Sequence, residues 1–66
     1  MKTEKEFNQE TKRLGLWSDP CVALNDAEPF EGQENYWELA FTCLQQGAAF
    51  RITEAGLNPA DFDIYY

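Results

Sequence analysis

The chain has 66 residues, of which 44% are hydrophobic and 15% aromatic, and its formal net charge is -7. A chain this short forms at most one domain, residues 1–66, and its apolar content is too high for a disordered tail. Binding to DNA or RNA depends on cations that neutralise phosphates, so the excess of acids argues against direct nucleic-acid binding and against an anionic membrane surface.

The charge is distributed unevenly along the chain. Four of the five cations lie in the first 13 residues together with three acids. From Leu14 onward the chain contains nine acids and one cation, Arg51. The folded part of the chain is therefore strongly acidic. This predicts a basic protein surface as partner, because long-range attraction accelerates the encounter of opposite charges.

The first residues, Met-Lys-Thr-Glu-Lys-Glu, are charged where a signal peptide needs an apolar core, and no apolar run approaches the roughly 20 residues that span a bilayer. We therefore expect a cytoplasmic protein that does not bind membranes. In a reducing compartment Cys21 and Cys43 are expected to be two small buried hydrophobes rather than a disulfide.

Thr3 and Glu6 form a capping-box pattern, which predicts the start of a first helix. Phe7, Thr11 and Leu14 share one face of that helix, and Gly15 is a typical C-terminal residue. Leu16 and Trp17 are expected to enter the core directly after it.

Two pairs, Asp19-Pro20 and Asn58-Pro59, place a side-chain acceptor before a proline, a pattern typical of the first turn of a helix. The first pair predicts a short helix that includes residues 21–24, and the second predicts one over residues 60–65. The acidic stretch 25–35, with Pro29 and Gly32, reads as an exposed loop.

The segment 36–44 fits two periodicities. Its apolar residues alternate as in a half-buried strand, yet Tyr36, Trp37, Ala40, Phe41 and Leu44 also form a helical stripe. The strand-like segment 49–53 and the turn-like residues 45–47 favour an antiparallel hairpin of 36–44 and 48–54, because a lone strand leaves its backbone groups unpaired. The predicted class is α+β, a small domain with an N-terminal helix, this hairpin and short helices, and an all-α fold is the alternative.

No constellation for catalysis or metal binding is evident. The chain has no histidine, and both cysteines have acidic or apolar neighbours that disfavour a thiolate. In the calcium-binding loop template, Gly32 and Glu38 can occupy the glycine and final glutamate positions. Ala27 and Pro29 then stand where acidic ligands are required, so the match fails. We expect no enzymatic activity, no metal and no cofactor.

The carboxylates from Leu14 onward are then the residues that most need a function: Asp19, Asp26, Glu28, Glu31, Glu34, Glu38, Glu54, Asp61 and Asp63. In size, charge and aromatic content the chain resembles the small acidic inhibitors that phages encode against host defence, the anti-CRISPR and anti-restriction proteins, several of which are DNA mimics. The resemblance implies binding to the nucleic-acid groove of a defence complex, such as a CRISPR effector, without a cofactor and in the host cytoplasm. The resemblance implies a class of protein and no residue list. If it holds, the partner-binding residues that we predict are first Glu28, Glu31, Glu34 and Glu38, and second Asp61 and Asp63.

Two other functions fit the same residues. A regulatory module would bind a protein groove through exposed aromatic side chains, with Trp17, Tyr65 and Tyr66 as candidates, and its affinity would depend little on salt. A homodimeric subunit would pair apolar surface with a second copy. The protein is thus expected to be a monomer or a homodimer.

Overall fold

The computed structural model describes residues 2–65, which form three α-helices joined by short turns. Helix α1 spans Glu4–Leu14, α2 spans Pro20–Ala27 and α3 spans Tyr36–Glu54, and 3₁₀ turns occupy Gly15–Trp17, Glu28–Phe30 and Pro59–Phe62. The molecule measures 37 × 20 × 18 Å. Residues 2–65 contain no strand.

The capping signals before α1 act as the sequence predicts. The Thr3 hydroxyl accepts a hydrogen bond from the backbone N–H of Glu6 at 3.3 Å. Gly15 ends the helix with φ +59°, a value that an L side chain rarely adopts. The expectation that Leu16 enters the core is wrong, since 98% of its surface is exposed, and Trp17 is only half-buried.

The two proline signals also open helical turns, with different lengths from those predicted. Asp19 caps α2 by accepting the N–H of Val22 at 3.3 Å, and the helix continues three residues beyond the predicted end, to Ala27. Asn58 accepts the N–H of Ala60 at 3.0 Å. That turn ends at residue 62, because residue 63 adopts a left-handed conformation. The predicted helix over 60–65 is therefore too long.

The predicted hairpin of residues 36–44 and 48–54 is wrong, and with it the α+β class. Both segments belong to the single helix α3, and the fold is all-helical. The buried residues Ala40, Leu44, Ala48 and Ile52 recur every fourth position straight through the supposed turn at 45–47. A helix pairs its own backbone groups, so the segment needs no partner strand.

Helix α3 is the central element, because α1, α2 and the C-terminal turn all pack against it. Half of the buried apolar residues are alanines, so the helices approach closely and a few larger side chains supply most of the buried apolar area. The core consists of Phe7, Leu14, Ala23, Ala27, Ala40, Leu44, Ala48, Ala49, Ile52 and Ile64.

The packing determines which end of α3 each segment lies near. Asp19 at the start of α2 pairs with Arg51 near the C-terminal end of α3 at 3.2 Å, so α2 runs antiparallel to α3. Residues 28–35 consequently connect α2 to the N-terminal end of α3. The C-terminal turn lies beside the C-terminal half of α3. Trp17 contacts both, because its carbonyl accepts a hydrogen bond from Arg51 at 3.4 Å and its ring packs edge-on against Phe62 at 5.9 Å.

Gly47 lies in the interior of α3, where glycine is costly, and a Cβ at this position would meet nothing within 4 Å. Replacing it with alanine is expected to raise the free energy of unfolding by about 0.5–1 kcal/mol, because alanine loses less backbone entropy in a helix. Urea unfolding measures the change. Gly56→Ala is the matched control: it is expected to destabilise, because Gly56 has φ +81°. A destabilising Gly47→Ala would contradict the helix.

Candidate protein-interaction surface

The first four predicted site residues lie close together in the chain at one end of the molecule, which we call the acidic end: Glu28, Glu31, Glu34 and Glu38. All four are exposed. Glu28 lies in the 3₁₀ turn after α2, Glu38 lies in the first turn of α3, and the other two lie in the connection between them. None of them takes part in the ion pairs found within residues 2–65.

The connection that carries these glutamates is closed by backbone turns. The N–H of Glu31 donates to the carbonyl of Glu28 at 2.9 Å, that of Gln33 to Phe30 at 3.0 Å, and that of Tyr36 to Gln33 at 3.2 Å. Consecutive hydrogen-bonded turns restrict the backbone between the two helices, so the carboxylates project from a defined connection.

Along the chain, no cation lies next to the glutamates of the acidic end, and in space Lys2 comes near Glu38, because its ammonium lies over the Phe41 ring, 4.4 Å from the ring centroid and one turn further along α3. Residues 14–50 contain no lysine or arginine, so every neighbour of these glutamates along the chain is neutral or acidic. Exposed like charges repel one another, and an opposite charge on a partner relieves that repulsion. The acidic end therefore favours contact with a basic surface.

Asp61 and Asp63 lie elsewhere. Both are exposed, and they belong to the C-terminal turn beside the second half of α3, a helix about 28 Å long. Asp63 accepts a hydrogen bond from the Tyr65 hydroxyl at 3.3 Å. Arg13 donates to the Phe62 carbonyl at 2.5 Å, so a cation compensates this region. The structure does not join these aspartates to the acidic end.

The aromatic residues of the alternative function differ in exposure. Trp17 is half-buried and packs on the core, whereas Tyr65 is 72% exposed and Tyr66 lies outside the described residues. Sequence reasoning missed Phe50, which projects from α3 with 65% of its surface exposed. A helical projection of 36–54 would have found it, because Phe50 lies off the stripe of buried residues.

A groove of about 250 Å³ lies between α2 and α3. The Asp19–Arg51 ion pair lies at one of its ends, and Asp26, at the C-terminal end of α2, lies toward the other. The pKa of Asp19 is lowered by the hydrogen bond from the Val22 N–H and then by Arg51. The residues that line the groove are Asp19, Val22, Ala23, Asp26, Cys43, Leu44, Gln46, Gly47 and Arg51.

The two cysteines are free and differ in exposure. Cys21 is exposed, so its expected burial is wrong, and Cys43 is half-buried beside the groove. Burial raises the pKa of the Cys43 thiol, and the charge of Asp26 raises it further. A raised pKa keeps the thiol protonated, which makes Cys43 a poor nucleophile.

Within residues 2–65 no three potential ligands among histidine, cysteine, aspartate and glutamate come together to hold a metal ion. No helix in this part of the chain combines the length and the apolar character needed to cross a bilayer. No protein-family model, curated protein or solved structure matches the chain.

Proposed function

We propose that the protein is a non-enzymatic inhibitor that binds a basic, nucleic-acid-binding surface of another protein through its acidic end. The observation that carries the proposal is a set of four exposed glutamates that lie from the end of α2 to the first turn of α3 and belong to none of the ion pairs found within residues 2–65. Carboxylates there take the place of phosphates in a groove lined by lysine and arginine. The protein then excludes nucleic acid, as a DNA mimic of the anti-CRISPR or anti-restriction kind does.

The charges of the chain favour this function over direct nucleic-acid binding. Exposed cations would have to neutralise phosphates, but within residues 2–65 carboxylates already pair with Lys2, Arg13 and Arg51, which leaves two lysines, Lys5 and Lys12, outside the ion pairs. The proposal requires no cofactor or metal. It also predicts strong salt dependence, because exposed charges are screened beyond about 8–10 Å at physiological ionic strength.

Neutralising the four glutamates of the acidic end to glutamine is expected to weaken partner binding roughly tenfold at low salt, from about 0.3–0.5 kcal/mol for each exposed charge interaction. The measurement has two stages. Immobilised protein first captures proteins of a bacterial lysate that also bind heparin, with elution in steps of rising salt. Each captured protein is then tested for release of a fluorescent nucleic acid when the inhibitor is added.

A matched pair of double variants separates position from total charge. Glu31→Gln with Glu34→Gln removes two charges at the acidic end, whereas Glu4→Gln with Glu54→Gln removes two exposed charges elsewhere. Only the first pair is expected to weaken binding clearly. Equal effects of both pairs, or a captured partner that still binds nucleic acid at saturating inhibitor, would refute the proposal.

The exposure of Phe50 favours a second candidate, apolar recognition of a protein groove or of a second copy. Binding of that kind resists high salt and is lost on Phe50→Ala. Light scattering distinguishes the homodimer, because it reports twice the mass of the chain.

A further inference from the structure

We propose that the groove between α2 and α3 receives one lysine or arginine side chain of the partner, with its apolar stem on the groove floor and its charged head at Asp26. This inference rests on the proposed function and adds a specific pocket to it. The acidic end supplies general attraction to a basic surface. The groove would select one basic side chain and fix the orientation of the complex.

The floor of the groove suits the apolar stem of a long basic side chain. Ala23 and Leu44 are buried core residues that line it, and Val22, 48% exposed, lies on its α2 side. Lysine and arginine cover apolar surface with their methylene groups while the charged head reaches a polar site. A volume of about 250 Å³ is too small for most drug-sized ligands but large enough for one side chain.

Gly47 keeps the groove open at the expense of helix stability. A glycine in a helix interior destabilises the helix relative to alanine, because it loses more backbone entropy. Nothing inside the protein requires it, because an added Cβ would meet no atom within 4 Å and the backbone is helical. The lack of a side chain at Gly47 therefore matters only for the groove, where it leaves room for an atom of a binding partner.

The charges of the groove favour a cationic occupant. Arg51 is bound by the Asp19 carboxylate and the Trp17 carbonyl, so this ion pair is close to neutral. Asp26 is exposed and belongs to none of the ion pairs found within residues 2–65. Three charged residues, Asp19, Asp26 and Arg51, line the groove, which therefore carries a net charge of -1. A basic head group would neutralise this charge.

The test is an amide chemical-shift titration of the ¹⁵N-labelled protein with a lysine homopeptide blocked at both ends. Reporter amides are Ala23 and Gly47 for the groove, and Glu31 and Glu34 for the acidic end. Both sets are expected to shift with the lysine peptide, and neither with a glutamate homopeptide. Gly47→Leu, which fills the groove with a good helix former, is expected to abolish the groove shifts and keep those of the acidic end.

Asp26→Asn is expected to weaken the groove interaction roughly fivefold, whereas Glu54→Gln, an equal charge change at an exposed site outside the groove, leaves it unchanged. Thermal unfolding verifies that each variant is folded. The milder Gly47→Ala variant replaces Gly47→Leu if the latter does not fold, and is expected to reduce the groove shifts.

The outcomes separate the two proposals. Shifts confined to the acidic end, or groove shifts that persist unchanged in Gly47→Leu, overturn the groove and leave the proposed function standing. Shifts confined to the groove support the pocket and remove the role of the acidic end. No shift at either set, or equal shifts with the glutamate peptide, overturns both.

Discussion

Replacing Ile52 with alanine is expected to lower the free energy of unfolding by about 2–5 kcal/mol. The side chain is fully buried on α3, so truncation removes apolar contacts and leaves a cavity in a core that contains few large residues. A domain of this length has a total stability of roughly 3–10 kcal/mol, so the variant is expected to be partly unfolded at room temperature. Circular dichroism during urea unfolding measures the effect.

Thr53→Ala is the matched control for Ile52→Ala. Thr53 is the next residue of α3 and is exposed, so its truncation is expected to change stability by less than about 0.5 kcal/mol. The comparison of Ile52 with Thr53 tests burial and not the type of secondary structure, because a strand at residues 48–54 would also place these two neighbours on opposite faces. Similar effects at both positions would contradict the burial of Ile52.

Glu10→Gln is expected to destabilise the protein by about 1–3 kcal/mol at neutral pH, because Glu10 holds three segments together. Only 6% of Glu10 is exposed. Its carboxylate accepts hydrogen bonds from the Arg13 guanidinium, one of them at 2.8 Å, and from the side-chain amide of Gln45 in α3 at 2.7 Å. Arg13 in turn donates to the Phe62 carbonyl, which secures the C-terminal turn.

The destabilisation caused by Glu10→Gln is also expected to depend on pH. The hydrogen bond from Arg13 lowers the pKa of Glu10 below its usual value of 4.5, and burial opposes this only in part. A lowered folded-state pKa contributes stability that is fully present above the unfolded-state pKa and is lost as the pH falls through the folded-state pKa. The difference in unfolding free energy between wild type and variant should therefore shrink between neutral pH and about pH 3.

Glu6→Gln provides the control on the same helix. Glu6 pairs with Lys2 at 3.5 Å, and both side chains are 42% exposed, so its loss is expected to cost less than about 1 kcal/mol. Urea unfolding at a series of pH values compares the three proteins. A Glu10→Gln difference that stays constant from neutral to acidic pH would show that the carboxylate charge does not stabilise the fold.

The candidate site was predictable in part. Exposure of Glu28, Glu31 and Glu34 follows from the acidic, turn-rich composition of residues 25–35, because isolated charges are too costly to bury. The separation of Asp61 and Asp63 from them could not be predicted. It depends on contacts of the C-terminal turn with Arg13 and Trp17, which lie far away in the sequence. The groove depends in the same way on how α2 lies against α3.

The sequence by itself determined the features that depend on neighbours within a few positions. Thr3, Asp19 and Asn58 each accept a backbone N–H two or three residues ahead, and Gly15 ends α1, because caps and turns are local structures.

Tertiary structure decided the features for which local signals conflict or are silent. Residues 36–44 fit both a strand and a helix, and only packing of one continuous face of α3 against α1 and α2 selects the helix over the local preference of 49–53 for a strand. The burial of Glu10 depends likewise on Gln45, a partner far along the chain. Burial is a property of the assembled core, and a short window of sequence does not contain it.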